Sequence, residues 1–146
     1  MPLATIKSEI KANLDALVPA ILGEVQVDDN RGGTDIFDRD FGKFPVAVLT
    51  TPAITSDYFT NRENGRTYEF TIFVLQKLEN MTGAMDIENL IEAMLNAFDN
   101  DPTLNGAAHG GVEPSSSPVA SIPSRGKTYI AFTITIKVRE SIQLTF

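Results

Sequence analysis

Five aspartates, Asp28, Asp29, Asp35, Asp38 and Asp40, crowd residues 28–43 beside Arg31, Arg39 and Lys43. Carboxylates at that density attract a divalent cation, and a calcium loop counted from Asp28 has its glycine, Gly33, in the sixth place. Its twelfth place holds Arg39, where calcium needs a bidentate glutamate, so the spacing fails. Loop solubility and pairing with the neighbouring cations account for these charges by default. The one histidine, His109, lies in a Gly- and Ala-rich stretch; a general base needs a partner within hydrogen-bond reach, and no partner can be assigned. Ser115, Ser116 and Ser117 run into Pro118 without the Gly-x-Ser-x-Gly context of a nucleophile elbow. Gly32 with Gly33, and Gly42 with Lys43, do not make a phosphate loop, because Lys43 leads into Phe44 and Pro45 rather than into a helix. The chain has no cysteine, which excludes disulfides, thiolate metal sites and cysteine nucleophiles. No catalytic residue, cofactor or metal is therefore expected, and the chain is not expected to be an enzyme.

The element around which the chain organises lies at residues 66–98, where the hydrophobic period changes once. Tyr68, Phe70, Ile72 and Val74 alternate as one face of a strand over residues 67–78; the other face carries Thr67, Glu69 and Thr71 before Phe73 and Leu75 make it apolar too. Beyond residues 80–83, Ile87, Leu90, Ile91, Met94, Leu95 and Phe98 form a helical stripe wide enough to lie on a sheet. Upstream, Ile6, Ile10, Leu14 and Leu17 mark an amphipathic helix from about Leu3 that Pro19 and Gly23 end. Residues 24–28 alternate around Val25 and Val27 as a short edge strand, and further strands are expected over residues 44–51 and 54–60. Asn64 and Gly65 predict a two-residue hairpin turn joining the last of these to the long strand. After a turn at Pro102 that sets Leu104 against the core, residues 112–122 read as an irregular strand that Pro114 and Pro118 confine to an edge. Residues 127–140 are the cleanest strand, with Ile130, Phe132, Ile134, Ile136 and Val138 facing one way and Thr133, Thr135, Lys137 and Arg139 the other. The expected fold is α+β: a mostly antiparallel sheet with two helices on one face, in a single domain over residues 1–146.

Charge sharpens the class. The net charge is −7, and between residues 78 and 124 there is no Lys or Arg, while Glu79, Asp86, Glu88, Glu92, Asp99, Asp101 and Glu113 are negative. A solvated acidic face that aids solubility is the plain reading; a surface that repels nucleic acid is the sharper one. Specific DNA binding is disfavoured either way, and the dispersed aromatics make no stacking platform for single strands. No apolar run approaches a membrane span, no leader is recognisable, and a cytosolic place of assembly is expected, so the sequon at Asn80 is read as coincidence. Residues 30–43 have neither strand nor helix period, and Ile36, Phe37 and Phe41 are more apolar than a solvated loop needs.

Arg66, Thr67, Tyr68, Glu69, Phe70, Thr71 and Ile72 in the long strand, and the helix end Leu95, Asn96, Ala97 and Phe98, stand between an N-terminal helix with its charged loop and a closing alternating strand. This layout resembles the tail-terminator family of long-tailed bacteriophages, the lambda-like minor tail or tail-completion proteins. The resemblance implies a structural virion protein, assembled in the host cytoplasm and placed at the head-proximal end of the tail. Its partners would be itself in a ring, usually of six subunits, the tail tube protein, and the head-tail connector or stopper protein, with DNA passing through unbound. Arg31, Asp35, Ile36, Phe37, Asp38, Arg39, Asp40 and Phe41 are then the expected interface loop, and Asp86, Glu88 and Glu92 the expected acidic lumen surface. A stopper or other neck-ring protein is the alternative within that class, and a small-molecule-binding α+β domain the alternative outside it.

Overall fold

The computed structural model describes residues 2–18, 22–27, 44–50, 52–58, 63–77, 84–104, 111–124 and 126–143. In chain order these form α1 (Pro2–Asp15), β1 (Glu24–Val27), β2 (Val46–Leu49), β3 (Ala53–Tyr58), β4 (Glu63–Lys77), α2 (Ala84–Asp99), β5 (Val112–Ser116), β6 (Ala120–Ser124) and β7 (Lys127–Gln143). The fold is α+β, as the periodicities require.

An antiparallel ribbon of β4 and β7 forms the spine, paired from Glu63 opposite Gln143 to Lys77 opposite Tyr129. Each spine strand carries two short strands end to end along its outer side. On β4, Leu49 of β2 pairs with Ile72 while Ala53 of β3 pairs with Glu69, so the register slips by one residue between them. On β7, Ser116 of β5 pairs with Ile134 while Ala120 of β6 pairs with Ala131, a second one-residue slip. Each break holds a proline: Pro52 stands two residues after the inward-pointing N–H of Thr50, where a continued ladder would need another donor, and Pro118 directly follows the inward-pointing N–H of Ser117, where its own nitrogen faces away from β7. Hydroxyl residues close the ladder at each. Thr50 donates both its N–H and its Oγ1 hydroxyl to the Thr71 carbonyl, at 3.0 and 2.8 Å. Ser117 N–H donates to the Thr133 carbonyl at 2.9 Å, and Thr133 N–H donates to Ser117 Oγ at 2.8 Å. Finally β1 lies beside β2, the one parallel pair among the described residues, from Glu24 opposite Val46 to Val27 opposite Leu49.

Strand alternation sorts the side chains into two layers. On one face Ala47, Leu49, Tyr68, Phe70, Ile72, Val74, Phe132, Ile134, Ile136 and Val138 are buried together with Ile6, Ile10 and Leu14 of α1 and Ile87, Leu90, Met94 and Phe98 of α2. Asn13 Nδ2 donates to Asp101 Oδ2 at 3.0 Å, tying α1 to the turn that follows α2. In that turn Leu104 is fully buried with a φ of 49°, so its apolar contacts hold a left-handed backbone. Leu104→Ala should lower stability by about 2–3 kcal/mol, read as a lower urea midpoint at unchanged slope.

Three expectations need correction. Asn64 and Gly65 are not a turn: they lie inside β4, opposite Tyr58 and Asp57 on one side and Ile142 and Ser141 on the other. Pairing on both edges outweighs local turn preference, and among the described residues positive φ belongs to Leu104, Gly111 and Gly126 instead. Helix α1 stops at Asp15, before Pro19, because Leu17 and Val18 donate to the carbonyls three residues back and tighten the last turn. Residues 112–122 are two strands separated by the bulge rather than one irregular strand.

Candidate assembly surface

With both helices on one side, the opposite face of the sheet has no helix over it among the described residues, and its chemistry changes along its length. Toward the β2 and β6 end it is apolar: Val46, Val48, Leu75 and Ala131 are buried, with Phe44, Phe73, Ile122 and Tyr129 packed against them. Phe44 stacks on Tyr129 with ring centroids 5.9 Å apart, and Lys77 Nζ sits 4.9 Å from the Phe44 centroid. Beside this cluster a shallow depression of about 130 Å³ is lined by Phe73, Pro118, Ala120, Ile122, Ala131 and Thr133. Toward the β3 and β5 end the same face is polar. Thr71, Thr135 and Ser115 stand in one cross-strand row, and Lys137 lies between Glu69 and Glu113 in the next. Arg139 reaches Glu113 at 3.8 Å, both well exposed, so that pair contributes specificity of contact more than stability.

No protein-family model and no curated protein matches this sequence. A solved chain described as "Virion of native gene transfer agent (GTA) particle" is similar over 92% of this chain and 94% of that one, at 11% identity and a TM-score of 0.46.

The residues singled out from sequence fall into three groups. Arg31, Asp35, Ile36, Phe37, Asp38, Arg39, Asp40 and Phe41 lie outside the described residues, as do Asp28, Asp29, His109 and the glycines at 32, 33 and 42. Glu88 and Glu92 are exposed on α2 with Asp99, on the side away from the core, and Asp86 belongs to the first turn of the same helix. Ser115 and Ser116 are exposed on β5, whereas Ser117 is committed to the bulge, accepting from Thr133 N–H and donating to the Pro118 carbonyl at 3.2 Å. Among the described residues no three His, Asp or Glu side chains converge as a metal site, and no helix is long and apolar enough to cross a membrane.

The apolar cluster on the helix-free face was the feature that residue patterns did not single out as a unit. Its signal is the run Val46, Ala47, Val48 and Leu49, apolar at every position and buried at every position, which only a strand packed on both faces requires.

Proposed function

We propose that this chain is a structural subunit of a tailed-phage-like virion, of the tail-terminator kind: it forms a ring on the end of the tail tube, ends tube polymerisation and presents the surface on which the head joins. The carrying observation is the helix-free sheet face. One end of it is apolar and the other is an array of hydroxyls and alternating charges, chemistry suited to packing against copies of itself and a tube rather than to enclosing a substrate. In this reading no reaction is catalysed and no cofactor is held. Six copies, head to tail, is the stoichiometry implied by the family resemblance; heterologous contacts of this kind close when the rotation allows. The exposed Glu88, Glu92 and Asp99 of α2 would face a lumen where negative charge keeps DNA from sticking.

Mixing the purified protein with self-assembling tail tube subunits tests the reading. Tubes capped by a ring and limited in length are the expected result under negative stain; tubes of unchanged length with bare ends would count against it. Phe37→Ser combined with Phe41→Ser should leave a folded subunit, with an unchanged far-ultraviolet spectrum, that no longer caps the tubes. Full capping by that variant would remove the loop at residues 35–41 from the interface.

A further inference from the structure

The β1–β2–β3 side of the sheet ends in a step. β1 runs beside β2 only, pairing with Val46 through Leu49, so the row that it occupies is empty beside β3 among the described residues. β3 carries no proline, and its described side chains, Ala53, Ile54, Thr55 and Ser56, are exposed on both faces. Among the described residues β3 pairs with β4 alone, and an edge of that kind offers its outward N–H and C=O groups to an extended strand. The far side of the sheet is blunted by comparison. Ser117 N–H points inward to β7, so by alternation Val112, Pro114 and Ser116 point their backbone nitrogens outward; Val112 N–H is already given to the Pro102 carbonyl at 2.9 Å, and Pro114 has none to give.

We propose that two copies of this chain join at these steps, each laying its β1 along the other's β3 about a two-fold axis normal to the sheet. The step is self-complementary under that rotation: one row then holds β1 of both copies end to end, each filling the gap beside the other's β3. Within one copy β1 and β3 run the same way, since both β2 and β3 are antiparallel to β4 and β1 is parallel to β2. The rotation reverses one of them, so the new pairing is antiparallel. It also keeps the helix-covered faces on the same side. Val27 (opposite Leu49) and Ile54 (opposite Tyr68) both belong to that side, and they are 38% and 50% exposed, two of the three exposed large apolar side chains among the described residues. Placing Val27 against the partner's Ile54 covers both. The same register sets Gln26 opposite Thr55, Val25 opposite Ser56 and Glu24 opposite Asp57, the last a like-charge pair that weakens the seam.

The absence of cysteine makes the test direct. Gln26→Cys and Thr55→Cys, each purified separately, are mixed under mild oxidation and run on a denaturing gel without reductant. A covalent dimer in the mixture, and in neither variant alone, is expected. Each variant carries a single cysteine, so any disulfide joins two copies; Gln26 and Thr55 lie level with Phe73 and Thr67 of β4, six strand residues or roughly 20 Å apart at about 3.3 Å each, so in the proposed pair two copies of one variant hold their cysteines about that far apart, well beyond the roughly 7 Å between α-carbons that a disulfide needs. Sedimentation of the unmodified chain should show a monomer–dimer equilibrium, and Asp57→Lys should tighten it about five-fold or more, because two like-charge pairs become attractive. A cross-link in either variant alone, no cross-link in the mixture, or a monomer at every concentration would overturn the pairing. The seam is isologous and closes at two copies, so it is independent of the ring. Rings on tubes without the cross-link would sink the pair alone, and a cross-linked pair without rings would sink the ring alone.

Discussion

Phe70→Ala is expected to lower the unfolding free energy by about 3–5 kcal/mol, enough to leave a domain of this size largely unfolded under conditions where the parent is folded. Phe70 is fully buried in the middle of β4, opposite Ile136, on the face where both helices pack. Its removal opens a cavity that strands paired on both sides cannot close by collapsing, and cavity and lost burial add. Phe73, three residues along the same strand, points to the other face and is only half-buried. Phe73→Ala should therefore cost much less, about 1–2 kcal/mol, because part of its surface is already in water. Urea unfolding followed by far-ultraviolet circular dichroism measures both. Equal losses at the two positions would mean that the sheet has no preferred core face, and the assignment of the helix layer would fall.

How much of this was legible in the residues depends on how local the cause is. The alternation at Ile130, Phe132, Ile134, Ile136 and Val138 and the stripe from Ile87 to Phe98 needed no knowledge of neighbours, since each records a face already committed to apolar contact; β7 and α2 stand where those patterns put them. The two helices on one face followed from the same patterns. Asn64 and Gly65 misled because turn chemistry is a local preference, and two flanking strands recruited the pair into β4. The parallel contact of β1 with β2 was illegible for a related reason: nothing in residues 24–27 records which partner waits across the chain. The register breaks between β2 and β3 and between β5 and β6 left a trace, a hydroxyl residue with a proline one or two places on, Thr50 with Pro52 and Ser117 with Pro118, but that pair of residue types marks many ordinary turns as well. Of the candidate site, the half-polar outer face of β7 was visible as Thr133, Thr135, Lys137 and Arg139, while the apolar end needed β2, β4, β6 and β7 to be brought side by side before Val46, Phe73, Ile122 and Tyr129 became one patch.

Thr135→Pro is expected to be about as damaging as losing Phe70, by a different route. Thr135 is paired on both sides, with Thr71 of β4 and Ser115 of β5, so its N–H serves one ladder or the other wherever it points. Proline removes that donor and leaves a carbonyl buried between strands without a partner, at about 1–3 kcal/mol for the unpaired group in addition to the lost bond and the steric clash. The outcome should be an unfolded or aggregated chain, seen as loss of the cooperative melt. Ser116→Pro is the control that gives this result its meaning. Ser116 is exposed on β5, and by the alternation set at Ser117 its N–H points away from β7, as the nitrogen of Pro114 already does. That substitution should cost under about 1 kcal/mol, in line with the tolerance of edge strands for proline. Ser115→Pro, one residue back with its N–H directed at β7, should fall between the two. A graded series of this kind locates the centre and the blunted edge of the sheet by chemistry alone. It also bears on assembly, because an edge that tolerates further prolines without losing self-association is not the edge through which copies meet.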